Sequence, residues 1–411
     1  MPAQKPLRIG FIGSGFIAHF HLKSLNSVRN VEVVGVYSPT PAKRQAFAED
    51  AAVQGLGDCV AYDSLEALLA APDLDAVWIL SPNHTRLATM QVIANAVASG
   101  KSAIRAVACE KPLARTLKEA RQMLELAESA GLLHGYLENQ LFSTAVERGK
   151  EVIWRRAVPA TGRPYLARAA EEHSGPHEPW FWQGELQGGG VLLDMMCHSV
   201  EVGRYLLTEP GAPRNSLTFK NASATTATLK WARPRYAADL KARMGDAVDY
   251  TKRPAEDFAR GILVFEDEQG NEVIVEATTS WAYVGPGLRI VLELLGPEYA
   301  MEFSTLSTGL KVFMSRAVSG DQGEDLVEKQ NSEQGLMPVL EDEAGVYGYT
   351  DGNRHMIEAF RAGRAPMETF ADGVAVVEML MALYKSAETG QTVDIASADL
   401  ENFVPAVARQ G

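Results

Sequence analysis

The stretch that most constrains this chain is "LRIGFIGSGFIA", Leu7 to Ala18. A short apolar run reads as a strand, passes through Gly13 and Gly15, and reopens as a helix. The same rhythm continues for the first third of the chain. "VEVVGVYS" (Val31 to Ser38) reads as a strand and "PAKRQAFAED" as a helix. "DSLEALLAAPD" is helical, with Asp63 or Ser64 placed to cap it. "LDAVWILSP" is a buried strand ending at Pro82, and "RLATMQVIANAVASG" is a helix closed by Gly100. A further helix is predicted from about Thr116 to Ala130, closed by Gly131. Strands alternating with helices imply a parallel sheet covered on both faces, an α/β domain over residues 1–134.

Past residue 135 the pattern changes. "GRPYLARAA" reads as a strand, and "ILVFEDEQGNEVIVEATT" as a hairpin turning at Gln269-Gly270-Asn271. "LRIVLELLG", "YAMEFST" and "GLKVFMS" follow as strands at short spacing, and the end, "DGNRHMIEAFRAG" and "ADGVAVVEMLMALYKSAETG", is helical. Residues 135–411 are therefore expected to form an α+β domain with a large, mostly antiparallel open sheet. With 411 residues, 46% of them hydrophobic, the chain can build two cores. A net charge of −13, spread along its length, argues against nucleic-acid and anionic-membrane partners. No apolar run is long enough to span a bilayer, and the start lacks the pattern of a secretory leader. Three well-separated cysteines (Cys59, Cys109, Cys197) do not suggest a disulfide framework. A cytoplasmic protein with reduced thiols is expected.

Gly13 to Ala18 fits the G-x-G-x-x-G/A fingerprint in its required context, after a strand and opening a helix. The first glycine makes the turn, the second lets a pyrophosphate approach, and the small third residue packs helix on strand. Gly13, Gly15, Phe16 and Ile17 are thus candidate dinucleotide contacts. An NAD site usually places an acid at the end of the second strand; here "VYSPTPAKR" has Ser38 instead. Ser38 and Thr40 can hydrogen-bond a 2′-phosphate and Lys43 or Arg44 can neutralise it, which slightly favours NADP over NAD. Lys43 and Arg44 read equally well as the solvated face of a helix.

Two later motifs add to this. "ACEKPLAR" puts Glu110-Lys111-Pro112 after an apolar segment, where the carboxyl end of a parallel strand would lie. "GGGVLLDMMCHSVE" puts Asp194 and His198 four residues apart on one helix face, behind three glycines that would let a substrate or backbone come close. Taken alone, that helix reads equally as buried structure. Together with "GFIGSGFIA", "WILSPNHTRLA" and "DGVAVVEMLMALYKSAETGQTV", these motifs resemble the glucose-fructose oxidoreductase / inositol dehydrogenase / MocA (Gfo/Idh/MocA) family over nearly the whole chain.

The resemblance implies a Rossmann domain followed by a substrate-binding and oligomerisation domain. It also implies hydride transfer between NAD(P) and a secondary alcohol of a sugar, cyclitol or related polyol. Lys111, Asp194 and His198 fall on the family's catalytic positions. Ser81, Asn83, His84, Glu110, Lys111 and, more weakly, Asn139 fall beside the cofactor. Histidine suits proton transfer near neutral pH, and a lysine stabilises alkoxide charge. Three departures stand out: the missing acid, Arg86 where a second histidine is usual, and a longer "GKSAIRAVACEKP" segment. The resemblance also suggests a homodimer or homotetramer.

The loop "EEHSGPHEPWFWQGELQ" offers Trp180 and Trp182 to stack on a sugar ring, and Glu171, His173 and His177 to meet its hydroxyls. The same residues could instead plug an internal gap. His173 and His177 with Asp194 and His198 could also be read as zinc ligands, but Gly175-Pro176 interrupts any shared helix and the chemistry needs no metal. None is expected. Two other functions fit the same residues. One is an NAD-dependent glycosidase working by oxidation, elimination, hydration and reduction, as sulfoquinovose-releasing relatives do. The other is a non-catalytic redox sensor, disfavoured because Lys111, Asp194 and His198 are all present.

Overall fold

The computed structural model describes residues 5–314 and 335–409. Its contacts divide the chain into two compact units. One runs to Ser143 and takes back Tyr347–Val377; the other comprises Thr144 to Val346 and the chain from Glu378.

The first unit is built on six parallel strands, β1 (Leu7–Ile12), β2 (Val31–Tyr37), β3 (Val60–Tyr62), β4 (Ala76–Ile79), β5 (Ala106–Glu110) and β6 (Leu133–Leu137). They lie in the order β3-β2-β1-β4-β5-β6. Strand order reverses between β1 and β4, and such a switch point opens a crevice at the carboxyl ends of the strands. The glycine loop leaves β1 at that crevice and opens the helix Phe16–Leu25. Every residue of β4 and β5 is buried, as expected where helices cover both faces.

The expected boundary at Gly135 falls inside β6. A Cβ at Gly135 would stand 2.5 Å from the Met356 sulfur. Met356, Ile357 and Phe360 of the helix Tyr349–Arg361 share one core with Phe11, Phe47 and Trp78. That helix belongs to the first unit because β6 has been stripped of side chain to receive it.

The second unit carries a seven-stranded sheet. Its strands are β7 (Leu166–Glu172), β8 (Thr218–Ala227), β9 (Phe258–Glu266), β10 (Glu272–Ser280), β11 (Arg289–Gly296) and β12 (Tyr299–Ser304), with the two-residue β15 (Val393–Asp394) at one edge. Only the β7–β10 pair runs parallel. β9 and β10 form the expected hairpin, and the Asp267 carboxylate holds its turn by accepting from Gln269 N and Asn271 N at 2.9 and 2.8 Å. A small separate ladder pairs β13 (Leu310–Met314) with β14 (Gly335–Val339).

The helix Val191–Leu207 lies against β7, β9 and β10 and is buried along almost its whole length. The charged segment from Leu217 to Gly261, which carries no motif, brings Trp231 and Tyr250 edge-on against Trp182. All three cysteines are free thiols. Among the described residues no helix is long and apolar enough to cross a membrane.

Candidate functional site

In the first unit the glycine loop is shaped by close approach. Gly13 has φ +121°, its N–H donates to the Tyr37 carbonyl at 2.8 Å, and a Cβ there would meet the Leu80 carbonyl oxygen at 2.8 Å. Gly15 begins the helix with no side-chain cap, and a Cβ there would meet nothing within 4 Å. The Ser14 hydroxyl is buried without a partner among the described residues. An uncapped helix N-terminus, an open cradle and an orphaned hydroxyl are what a pyrophosphate requires, so the residues present fit a dinucleotide. Phe16 is 53% exposed at the rim, and Ile17 is half-buried behind it.

At the end of β2, Ser38 is buried and its carbonyl accepts from Arg44 at 3.2 Å. Arg44 also pairs with Asp63. Its charge is partly met inside the fold, whereas Thr40 and Lys43 are exposed.

The loops after β4 and β5 are tied together. Arg86 donates to the Ser81 carbonyl at 3.0 Å, to the Glu110 carbonyl at 2.6 Å and to the Pro112 carbonyl. The residue that stands out in the sequence as a departure is thus a buried clamp that positions Glu110-Lys111-Pro112 relative to Ser81. Asn83 is buried at the start of the following helix. Burial lowers the His84 imidazole, and the Arg115 and Arg86 cations lower it further.

Glu110 is 2% exposed. Its carboxylate accepts from the Lys111 N–H at 2.9 Å and from His21 Nε2 at 2.9 Å. The side-chain amide of Asn353 fixes the histidine tautomer. Its oxygen accepts from Trp78 Nε1 at 3.1 Å, so its nitrogen faces Ser24 Oγ at 2.8 Å and His21 Nδ1 at 2.9 Å. With Nδ1 accepting, Nε2 carries the proton toward Glu110. Burial alone would raise the Glu110 carboxyl. The His21 hydrogen bond, with the charges of Lys111 and Arg86, brings it below its ordinary value. The neighbouring Cys109 thiol is pushed by burial up to about 12, which makes it a poor nucleophile. Asn139 donates to the Tyr347 carbonyl at 2.7 Å, and its side-chain oxygen is buried without a partner.

In the second unit, Asp194 and His198 sit one turn apart on the helix Val191–Leu207, 5% and 3% exposed. Asp194 Oδ2 accepts from Trp281 Nε1 at 3.2 Å. Trp182 is buried. Its ring meets Trp231, Tyr250 and Trp281 at centroid distances of 5.2, 5.4 and 5.1 Å, and its Nε1 donates to the Pro176 carbonyl at 3.0 Å. That ring is a wall behind Trp281 rather than a platform for sugar, which corrects the expectation from the sequence. Trp180 is half-buried and stacks on Phe181 at 3.8 Å. Glu171 is buried on β7, and His173 is buried just beyond it, its Nδ1 accepting from Gly175 N at 2.9 Å. His177 is exposed. Among the described residues, His173, His177, Asp194 and His198 do not gather their donor atoms into one cluster. Neither Trp281 nor His21 was distinguished by the sequence, since each is a lone residue given meaning by a partner tens or hundreds of positions away.

A six-stranded parallel sheet, with a glycine-loop helix lacking a side-chain cap at its switch point, defines a dinucleotide-binding class of fold. Family models match both parts of the chain: the oxidoreductase family with an NAD-binding Rossmann fold over residues 7–138, and the GFO/IDH/MocA C-terminal domain over residues 159–298. The chain belongs to the Gfo/Idh/MocA family. It is 27% identical to D-glucoside 3-dehydrogenase of Escherichia coli (strain K12), over 95% of this chain and 98% of that protein. It is 33% identical to 1,5-anhydro-D-fructose reductase of Ensifer adhaerens, over half of this chain and 58% of that reductase. Among solved structures, GenD2 from gentamicin A biosynthesis, in complex with NAD, superposes with a TM-score of 0.75 at 25% identity, covering 95% of this chain and 97% of that one.

The depressed Glu110 carboxyl has a consequence with a definite sign. Its ionised form is favoured by folding, so it contributes stability above its unfolded value near 4.5 that is lost as pH falls through the lower folded value. Urea denaturation across pH should show Glu110→Gln less stable than the parent near neutrality, the gap closing below about pH 4.5. A gap that is constant with pH would contradict an ionised, His21-bonded Glu110.

Proposed function

We propose that this protein is an NAD(P)-dependent oxidoreductase transferring hydride between the nicotinamide and a secondary alcohol of a sugar, cyclitol or related polyol. The observation that carries the reading is the glycine-loop helix at the β1–β4 switch point, which has no side-chain cap and open space at the Cβ position of Gly15. The names of the relatives, a glucoside dehydrogenase and an anhydrofructose reductase, support the sugar class.

Gly13, Ser14, Gly15, Phe16 and Ile17 would hold the pyrophosphate; Ser38, Thr40, Lys43 and Arg44 the adenosine ribose; Ser81, Asn83, His84, Glu110 and Asn139 the nicotinamide side. When bound, the cofactor accepts or returns the hydride. In the oxidative direction His198 takes the hydroxyl proton while Lys111 stabilises the developing alkoxide. Asp194, anchored by Trp281, orients His198 or a neighbouring hydroxyl of the substrate. The buried Glu110 fixes the backbone of Lys111 through its N–H. Trp180 takes the stacking role, with Glu171, His173 and His177 meeting hydroxyls. His173 Nδ1 accepts from the Gly175 N–H, which turns Nε2 into the donor side of the ring. Outward residues of β11 such as Val291 and Leu295 are half-buried and suit the open sheet to self-association into a homodimer or homotetramer.

The test is turnover on a panel of glucosides, levoglucosan and myo-inositol, with reduced cofactor and oxidised product both quantified. A one-to-one ratio is expected; aglycone release with unconsumed cofactor would overturn the reading in favour of glycoside cleavage. Lys111→Ala and His198→Ala should each lower kcat by about 10²–10⁴-fold while cofactor Kd stays within about twofold.

NADP is favoured over NAD because Ser38 replaces the acid and Lys43 is exposed. Arg44, already engaged with Asp63, adds less to that preference. Ser38→Asp should shift the kcat/KM ratio toward NAD by about tenfold or more; an unchanged ratio would remove the preference.

A further inference from the structure

The helix that carries Asp194 and His198 begins on Gly190, which brings no side chain to cap it. Its first turn is buried, so its leading N–H groups need acceptors from elsewhere. Two residues far away in sequence supply them. Glu256 Oε1 accepts from Gly190 N at 2.9 Å and from Leu192 N at 3.2 Å. The Glu256 carbonyl accepts from Val191 N at 3.1 Å. Tyr384 Oη accepts from Gly190 N at 3.0 Å and Leu193 N at 3.2 Å, and donates to Glu256 Oε1 at 2.5 Å. Burial raises the Tyr384 hydroxyl well above its ordinary value, so it keeps the proton it donates.

The glycines now have a reason. A Cβ at Gly189 would lie 2.1 Å from Tyr384 Oη, and one at Gly190 would lie 2.5 Å from the Glu256 carbonyl oxygen. The clearance that the sequence suggests for a substrate is filled at these two positions by the cap itself. The next residue extends the effect. The Asp257 carbonyl accepts from Trp281 N at 2.8 Å, and the Trp281 indole donates to Asp194. Glu256 thus fixes the start of the helix, and Asp257 fixes the indole that holds the Asp194 carboxylate.

We propose that Glu256 and Tyr384 are positioning residues for Asp194 and His198, setting the axial position and rotation of their helix by capping it from outside. The inference rests on the catalytic reading of Asp194 and His198. The substitution Glu256→Gln keeps a side-chain acceptor for the amides, whereas Glu256→Ala removes it, and Tyr384→Phe removes a single oxygen without changing the shape of the ring.

The experiment compares Tyr384→Phe, Glu256→Gln, Glu256→Ala and His198→Ala with the parent. The readouts are amide exchange by mass spectrometry, cofactor Kd, and steady-state kinetics on the panel sugar that the parent oxidises fastest. Tyr384→Phe should speed exchange in the peptide Gly188–His198 by at least about tenfold. It should also lower kcat by about 10–100-fold with cofactor Kd unchanged. Glu256→Gln should retain more kcat than Glu256→Ala; if the alanine variant does not fold, Tyr384→Phe and Glu256→Gln carry the test. Unchanged exchange in Tyr384→Phe, or kcat within about twofold of the parent while His198→Ala is inactive, overturns the positioning role alone. Parent-like kcat in His198→Ala overturns the catalytic reading and this inference with it.

Discussion

The amides that helix N-termini cannot satisfy within the helix organise both units. Each unit has a candidate-site helix that starts on a glycine, without a side-chain cap of its own. The first turn of any helix presents N–H groups with no partner in the helix, together with the positive end of the helix dipole. In the second unit the protein answers this internally: a carboxylate and a phenol close over Gly190, and the helix becomes a fixed mount for Asp194 and His198. In the first unit, among the described residues, nothing fills the space a side chain at Gly15 would take, and the hydroxyl of Ser14 beside it is buried without a partner. One N-terminus is closed by side chains of the chain itself, and the other has no side-chain cap.

The same economy of buried polar groups connects the loops of the first unit. Trp78, Asn353, His21 and Glu110 form one hydrogen-bonded line that ends on the backbone of Lys111. Arg86 joins the β4 and β5 loops at three carbonyls. Buried networks of this kind are costly when any member is lost and rigid when all are present, which holds the backbone of Lys111 in place. His21 lies on the glycine-loop helix and Glu110 at the end of β5, so the cradle and the Glu-Lys-Pro turn are mechanically one piece.

The elements governed by local pattern were legible in the sequence. The strand-helix alternation, the fingerprint at Gly13 to Ala18, the hairpin at Gln269-Gly270-Asn271 and the helix bearing Asp194 all follow from periodicity and turn chemistry within a few residues. What escaped the sequence depends on partners far along the chain. The return of Tyr349–Arg361 to the first core is written in the missing side chain of Gly135, which in the sequence marks only the expected domain boundary until Met356 stands over it. Trp182 carries the same letter as Trp180, and only the arrival of Trp231 and Tyr250 from an unremarked charged segment makes it core. The glycines before Asp194 announced close approach correctly; that the approaching groups are Glu256 and Tyr384 was not local information.

The most direct measurement of the account is a calorimetric titration of NAD and NADP into the parent and into Gly15→Ala, alongside their thermal denaturation. Gly15 has negative φ and open space at its Cβ position, so alanine there should leave the Tm essentially unchanged. The new methyl group would stand in the cradle, and dinucleotide affinity should fall by about tenfold or more. Equal affinity in the two proteins would contradict the claim that this helix N-terminus is where the cofactor phosphates bind.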